Sequence, residues 1–234
     1  MNIGGFQRFS LLDYPGQLSA IVFTQGCNFR CPYCHNPVLV EPTLYEPRLN
    51  TEWVLRFLYR RRKKLGAVVV SGGEPTLQDD IVPFLKLLKA MRFKVKLDTN
   101  GSIPEVLETI ANADLVDYFA MDIKAPLPLY KLVSRADTNT ESITQSMEII
   151  RRAGVNYEFR TTFFDALLSV NDIIEMQTLL KPGDKFIVQE CRYGQNLEKL
   201  EKPEGKMPLE ASPICQTLIG WGKQHSVSVS VRSL

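Results

Sequence analysis

Three cysteines, Cys27, Cys31 and Cys34, crowd the stretch CNFRCPYC with the spacing C-x3-C-x2-C. Thiolates so close together are donors for zinc, iron or an iron–sulfur cluster. Three readings compete: a zinc knuckle short of one ligand, half a disulfide scaffold, or a metal centre with one position open. A structural zinc site takes four ligands and is closed. The nearest fourth donor, His35, adjoins Cys34, and adjacent residues rarely reach the same face of one ion. A cubane cluster has four irons, each taking one external ligand, usually a cysteine thiolate. Three thiolates on one loop would hold three irons and leave the fourth open to a substrate or cofactor. The pattern therefore favours one [4Fe-4S] cluster. No further ferredoxin-type cysteine set is present, and Cys191 and Cys215 read as apolar core residues.

Composition limits the setting. The chain has 234 residues, 44% hydrophobic and 23% charged, enough to bury a large core. A formal net charge of +2 offers no bulk attraction for nucleic acid. The one local excess, Arg60 to Lys64, reads as the solvated C-terminal end of a helix; the competing reading is a patch for an acidic partner. No apolar run is long enough to span a bilayer, and the N-terminal residues lack a signal-peptide pattern. Five cysteines, three of them clustered, suit a reducing compartment, so a cytoplasmic protein is expected.

The elements that must position the cysteines alternate. Candidate strands are 19–25, 67–72, 94–100, 116–124, 157–162 and 185–190, mostly continuous apolar runs, as in a parallel sheet buried on both faces. Residues 226–232, SVSVSVR, alternate strictly and read as a strand with one wet face. Amphipathic helices are expected over 51–64, 80–91, 140–153 and 213–223. Ser102 to Glu105 reads as a capping box with proline in the first helical position, and Asn171 as the cap of a helix over 172–180. Strands alternating with helices imply βαβ units. Six units fall short of the ~250 residues of a full eight-unit barrel. The expected fold is α/β, an incomplete (β/α)6-type parallel barrel open on one side, with residues 1–234 as a single domain. Ligands in such sheets sit beyond the carboxyl ends of the strands. The cysteines, SGGEPT, DTNG, MDIK and RTT each follow or end a successive strand, so they should meet at one rim.

With Tyr33 before the last cysteine and Gly72-Gly73-Glu74-Pro75 after the next strand, the chain resembles the radical S-adenosylmethionine superfamily. CPYCHNP together with LLDYPG narrows this to glycyl radical enzyme activases, most closely the anaerobic ribonucleoside-triphosphate reductase activating proteins. The resemblance runs from about Phe6 to Thr162. It implies that Cys27, Cys31 and Cys34 bind a [4Fe-4S] cluster and that S-adenosyl-L-methionine chelates the open iron. It places Gly72, Gly73 and Glu74 at the methionyl amino group, and Tyr33 with Asn36 at the adenine. Asp98 and Thr99 fall at the third-strand site. Asp122 and Lys124 fall at the fourth-strand site, with the lysine pairing the methionine carboxylate. Arg160, or Thr161, falls at the ribose or carboxylate. Asp-Thr-Asn-Gly is also a good turn sequence, and DIKAP could merely end a strand; the common placement of these residues argues for function.

The resemblance also implies the chemistry. A reduced cluster would cleave the sulfonium, and the 5′-deoxyadenosyl radical would take a hydrogen from a glycine Cα of a partner enzyme. A flavodoxin or ferredoxin would supply the electron. Asp13 sits where activases meet the partner's glycyl loop. Tyr14 stands where pyruvate formate-lyase activating enzymes have glycine, which favours the reductase type. Related activases carry a late-strand histidine that this chain lacks there; Gln189 or Arg192 is the expected substitute. The polar stretch 192–210 reads as a cover over the cofactor or a plain connection. The rival within the superfamily is a small-molecule enzyme of the 7-carboxy-7-deazaguanine synthase type. The rival outside it is a non-catalytic zinc-binding interaction protein.

Overall fold

A computed structural model describes residues 1–194, 196–200 and 207–232. Its strands are β1 (Ile3–Ser10), β2 (Ser19–Thr24), β3 (Ala67–Gly72), β4 (Lys94–Thr99), β5 (Tyr118–Asp122), β6 (Asn156–Phe163), β7 (Lys185–Glu190) and β8 (Ser228–Arg232). They form one sheet in the order β1 to β8. β1 pairs antiparallel with β2, and every later neighbour is parallel. The sheet is not closed, as expected for an incomplete barrel. The six expected parallel strands are β2 to β7, and the 226–232 segment contributes β8, parallel to β7. Among the described residues, no helix is long and apolar enough to cross a membrane.

Sequence reasoning missed β1. Gly4 and Gly5 are poor strand formers, and nothing local marks IGGFQRFS as a strand. Tertiary contacts decide it: Phe6 packs edge-on against Trp53 and Phe57, and β1 covers the free edge of β2.

The helices are α1 (Pro37–Val40), α2 (Thr51–Arg61), α3 (Ile81–Ala90), α4 (Pro104–Asn112), α5 (Tyr130–Ser134), α6 (Thr140–Arg152), α7 (Val170–Met176) and α8 (Pro213–Gln224). Arg60 and Arg61 lie in the last turn of α2, the position a helix dipole favours. Two cap assignments differ from expectation. Ser102 does not cap α4, whose N-cap is Ile103 without a side-chain bond; the Ser102 hydroxyl instead accepts from Asn28 Nδ2 at 2.8 Å. Ser169 rather than Asn171 caps α7, in a capping box with Asp172.

Strand parity divides the apolar residues into two clusters. Val68 and Val70 of β3, Val95 and Leu97 of β4, and Phe119 and Met121 of β5 join the large core that contains the helices' buried residues. The opposite parity gives a small second cluster of Ile21, Ala67, Val69 and Tyr118, which Tyr14 joins from the turn between β1 and β2. This cluster lies on the concave side, below the polar residues of the same strands. Each fully buried leucine or phenylalanine contributes about 1.5–3 kcal/mol, so most of the fold's stability lies on the helical side. The concave side is left for polar groups.

Candidate functional site

The carboxyl ends of β2 to β7 surround a cavity of about 390 Å³. Cys27, Cys31 and Cys34 line it, together with Asp13, Tyr33, Asn36, Gly72, Gly73, Asp98, Thr99, Asp122, Lys124 and Arg160. Thirteen of the fourteen expected site residues therefore meet in one place. Glu74 is the exception. It is fully buried, and its carboxylate accepts from Thr76 N (3.0 Å), Thr76 Oγ1 (2.6 Å), Thr99 Oγ1 (2.8 Å) and Asn100 N (2.6 Å). Its side chain ties the loop after β3 to the end of β4. Thr161, of opposite parity to Arg160, is buried and does not line the cavity.

The glycines answer to the chain's own backbone. A Cβ on Gly73 would stand 2.0 Å from the Gly26 carbonyl oxygen, and one on Gly72, at φ +123°, would stand 2.3 Å from the Thr24 amide. Glu74 N donates to Gly26 O at 2.8 Å. The loop after β3 thus lies directly on the start of the cysteine loop, and only glycine permits it. The DTNG segment both turns and clamps. Asn100 Oδ1 accepts from Ser102 N at 2.9 Å, and Asn100 Nδ2 donates to Asn28 Oδ1 at 2.9 Å, beside Cys27.

The far wall is ionic. Arg160 Nε donates to Asp122 Oδ1 at 2.9 Å, and its Nη2 lies 3.5 Å from Asp98 Oδ2. Lys124 Nζ donates to Asp122 Oδ2 at 3.1 Å. Ser71 Oγ donates to Asp98 Oδ2 at 3.1 Å. Burial works against the Asp122 carboxylate, but Arg160 and Lys124 outweigh it and hold its pKa well below the usual carboxylate range. Burial likewise opposes the Lys124 ammonium, and Asp122 foremost keeps it charged. The wall carries fixed charges of both signs, suited to a zwitterionic ligand.

Of the three thiols, Cys31 is buried and Cys27 and Cys34 are half-buried. Burial pushes Cys27 up to about 12 and Cys31 to about 11, and raises Cys34 as well. Lys124 opposes the shift at all three. Burial disfavours the bare thiolates, and a bound metal centre would supply compensating charge. Among the described residues, no three or more His, Cys, Asp or Glu side chains are grouped to hold a single metal ion. Cys27, Cys31 and Cys34 all line the cavity, and three thiol donors without a fourth suit a cubane cluster with one open iron.

A family match fixes the lineage. Residues 21–180 match the model of the radical SAM superfamily. The chain belongs to the radical SAM superfamily. A Methanocaldococcus jannaschii protein bearing the name of a glycyl-radical enzyme activating enzyme is 31% identical over 230 residues, covering 93% of this chain and 92% of that protein. By this homology the radical SAM chain belongs with the glycyl-radical activating enzymes. A 7-carboxy-7-deazaguanine synthase of Clostridium acetobutylicum is 35% identical, but over 114 residues, 47% of this chain and 49% of that protein. The Streptococcus suis SuiB structure bound to S-adenosylmethionine shares the fold at 15% identity and a TM-score of 0.67, covering 91% of this chain and 51% of that one. Radical SAM enzymes use a [4Fe-4S] cluster and S-adenosylmethionine, and the donor set of this cavity fits both.

Several neighbours of the site escaped sequence reasoning. His35 lines the cavity and its Nε2 accepts from the Arg192 amide at 3.2 Å, just beyond β7. The His35 imidazole thus reaches the end of β7 from the cysteine loop, and Gln189 and Arg192 line the cavity as well. The stretch after β7 binds that loop directly. Asn196 Nδ2 donates to Tyr33 O (3.0 Å), Leu197 N to Cys34 O (3.1 Å) and Glu198 N to Pro32 O (3.0 Å). Arg192 and residues 196–198 are thus a strap against the cysteine loop; residues 195 and 201–206 lie outside the described residues. Cys191 and Cys215 are buried, as expected.

Proposed function

We propose that this radical SAM enzyme generates a glycyl radical on a partner enzyme, with anaerobic ribonucleoside-triphosphate reductase as the partner and a flavodoxin or ferredoxin as electron donor. One observation carries the reading: three thiols, Cys31 buried and Cys27 and Cys34 half-buried, share a cavity with a wall of fixed charges, and the same cavity reaches the Asp13 turn. Residues 1–234 act as one domain in this reading, in the cytoplasm, with no role for nucleic acid or membrane.

Cys27, Cys31 and Cys34 would hold three irons of the cluster. When bound, the cluster and S-adenosylmethionine supply reductive bond cleavage and hydrogen-atom abstraction. Lys124 would pair with the cofactor's carboxylate, while the loop at Gly72 to Glu74 would receive its amino group through backbone atoms. The backbone at Tyr33, with Asn36, would hold the adenine. Asp98, Thr99, Asp122 and Arg160 would orient the remaining polar groups. These residues position and desolvate; no side chain need move a proton, in keeping with a chain of two histidines. Asp13 would meet the partner's glycyl loop, so that the target hydrogen enters at bonding distance of the reactive carbon.

The experiment is anaerobic reconstitution, followed by incubation with candidate glycyl radical enzymes, S-adenosylmethionine and reductant. Electron paramagnetic resonance should record a glycyl radical on the partner, and 5′-deoxyadenosine should accumulate. Cys31→Ala should lose bound iron and both signals. Cleavage that yields no radical on any candidate, but turns over a pterin-like substrate, would replace this reading with the small-molecule one. Zinc without iron or sulfide in anaerobically purified protein would end both.

A further inference from the structure

Lys96 is a buried cation to which the proposed chemistry gives no task. It lies in β4, two residues before Asp98, so strand parity points both side chains into the concave face. Its side chain is 5% exposed. The ammonium donates to the Asp13 backbone carbonyl at 2.9 Å. It lies 3.1 Å from Asp98 Oδ1, 4.0 Å from Glu158 Oε1 and 5.7 Å from the centre of the Tyr118 ring. An ammonium has three N–H donors and no acceptor, so these groups share one small charge.

The turn it holds is otherwise largely tied to itself. Ser10 Oγ donates to Asp13 Oδ2 and accepts from the amides of Leu12 and Asp13, and Gln17 N donates to Tyr14 O. Tyr14 anchors the turn by packing edge-on against Tyr118. Leu11 and Leu12, at the tip, are 74% and 91% exposed. Lys96 thus joins a cavity carboxylate to the backbone of residue 13.

We propose that Lys96 is a positioning residue that couples occupancy of the Asp98 side of the cavity to the placement of the Asp13 turn. A ligand carrying positive charge, such as a sulfonium or an amino group, competes with Lys96 for Asp98. The ammonium then commits to the Asp13 carbonyl, and the turn is held more firmly. The coupling exists because the ligand interacts differently with the two arrangements of one buried charge. Its purpose rests on the activase reading, since a firm turn matters where a partner's loop must enter.

The test does not need the partner. Amide hydrogen exchange is followed by mass spectrometry on anaerobic, cluster-loaded protein, with and without S-adenosylmethionine, with cofactor binding checked in the same samples. In the unaltered protein the cofactor should slow exchange across residues 11–17 by about tenfold, the scale of one charged hydrogen bond. Lys96→Met should abolish that slowing. The double variant K96M/E158Q removes one buried anion together with the buried cation, so the cluster keeps its net charge while Asp98 retains Arg160, and it should behave the same way. Slowing that persists in either folded variant overturns the proposal, as does its absence from the unaltered protein. Exchange that rises equally through β4, β5 and β6 marks a merely structural lysine and overturns it as well. Failure to produce a glycyl radical would refute the activase reading and leave the exchange result standing.

Discussion

Two buried ionic clusters lie at opposite ends of the sheet, and they are built differently. At the foot, Asp184 just before β7 is 1% exposed and saturated. Arg151 Nε and Nη2 donate to its two oxygens at 3.1 and 2.6 Å, Tyr157 donates at 2.8 Å and the Lys181 amide at 2.8 Å. At the rim, Arg160 is divided among three carboxylates and meets none of them through two bonds. Asp98 Oδ1 has the Lys96 ammonium at 3.1 Å yet accepts no aligned hydrogen bond, and the Asp122 side chain is 30% exposed to the cavity. A bidentate, fully satisfied pair locks elements together. A divided, partly exposed network keeps bonding capacity for a ligand. Charge and burial alone would not separate the two; the accounting of individual oxygens does.

Substitutions should separate them by readout. Arg151→Met leaves the buried Asp184 uncompensated and should destabilise the fold by about 3–5 kcal/mol, measured by chemical denaturation, without weakening S-adenosylmethionine binding to the folded fraction. A loss of cofactor affinity instead would merge the two clusters into one functional unit. Lys124→Met at the rim should weaken cofactor binding by about 30-fold, on the order of 2 kcal/mol, measured by equilibrium binding to the reconstituted protein, with a smaller effect on unfolding. The reverse pattern would make the rim network structural.

The smallest effect sharpens the comparison by pH. Burial, then Asp184, pushes the Tyr157 hydroxyl up to about 12. A folded pKa raised above the unfolded value of about 10 means that the proton is held more tightly in the native state. The contribution is therefore complete below about pH 10 and is lost as pH rises through about 12. Tyr157→Phe should cost about 1 kcal/mol at neutral pH. The stability gap from the unaltered protein should close between those two values, as read by thermal unfolding. A gap that stays constant across that window would show that folding does not raise the pKa of this hydroxyl.

The amino-acid sequence determined the six parallel strands, because residues buried on both faces must be apolar throughout, and runs such as AVVVSG carry that signature without help. It also determined that the cysteines, Asp98, Asp122 and Lys124 would share a rim, because polar residues at the ends of successive parallel strands can go nowhere else. Local propensity could not reveal β1, whose glycines make a strand only once β2 offers an edge and Trp53 and Phe57 offer Phe6 a surface. Nor could it show that Glu74 faces away from the cavity, that His35 reaches Arg192 across 157 positions, or that Lys96 touches the turn at Asp13. Those contacts depend on which strand ends the curled sheet brings opposite one another, and such long-range closure is decided by packing of the whole chain.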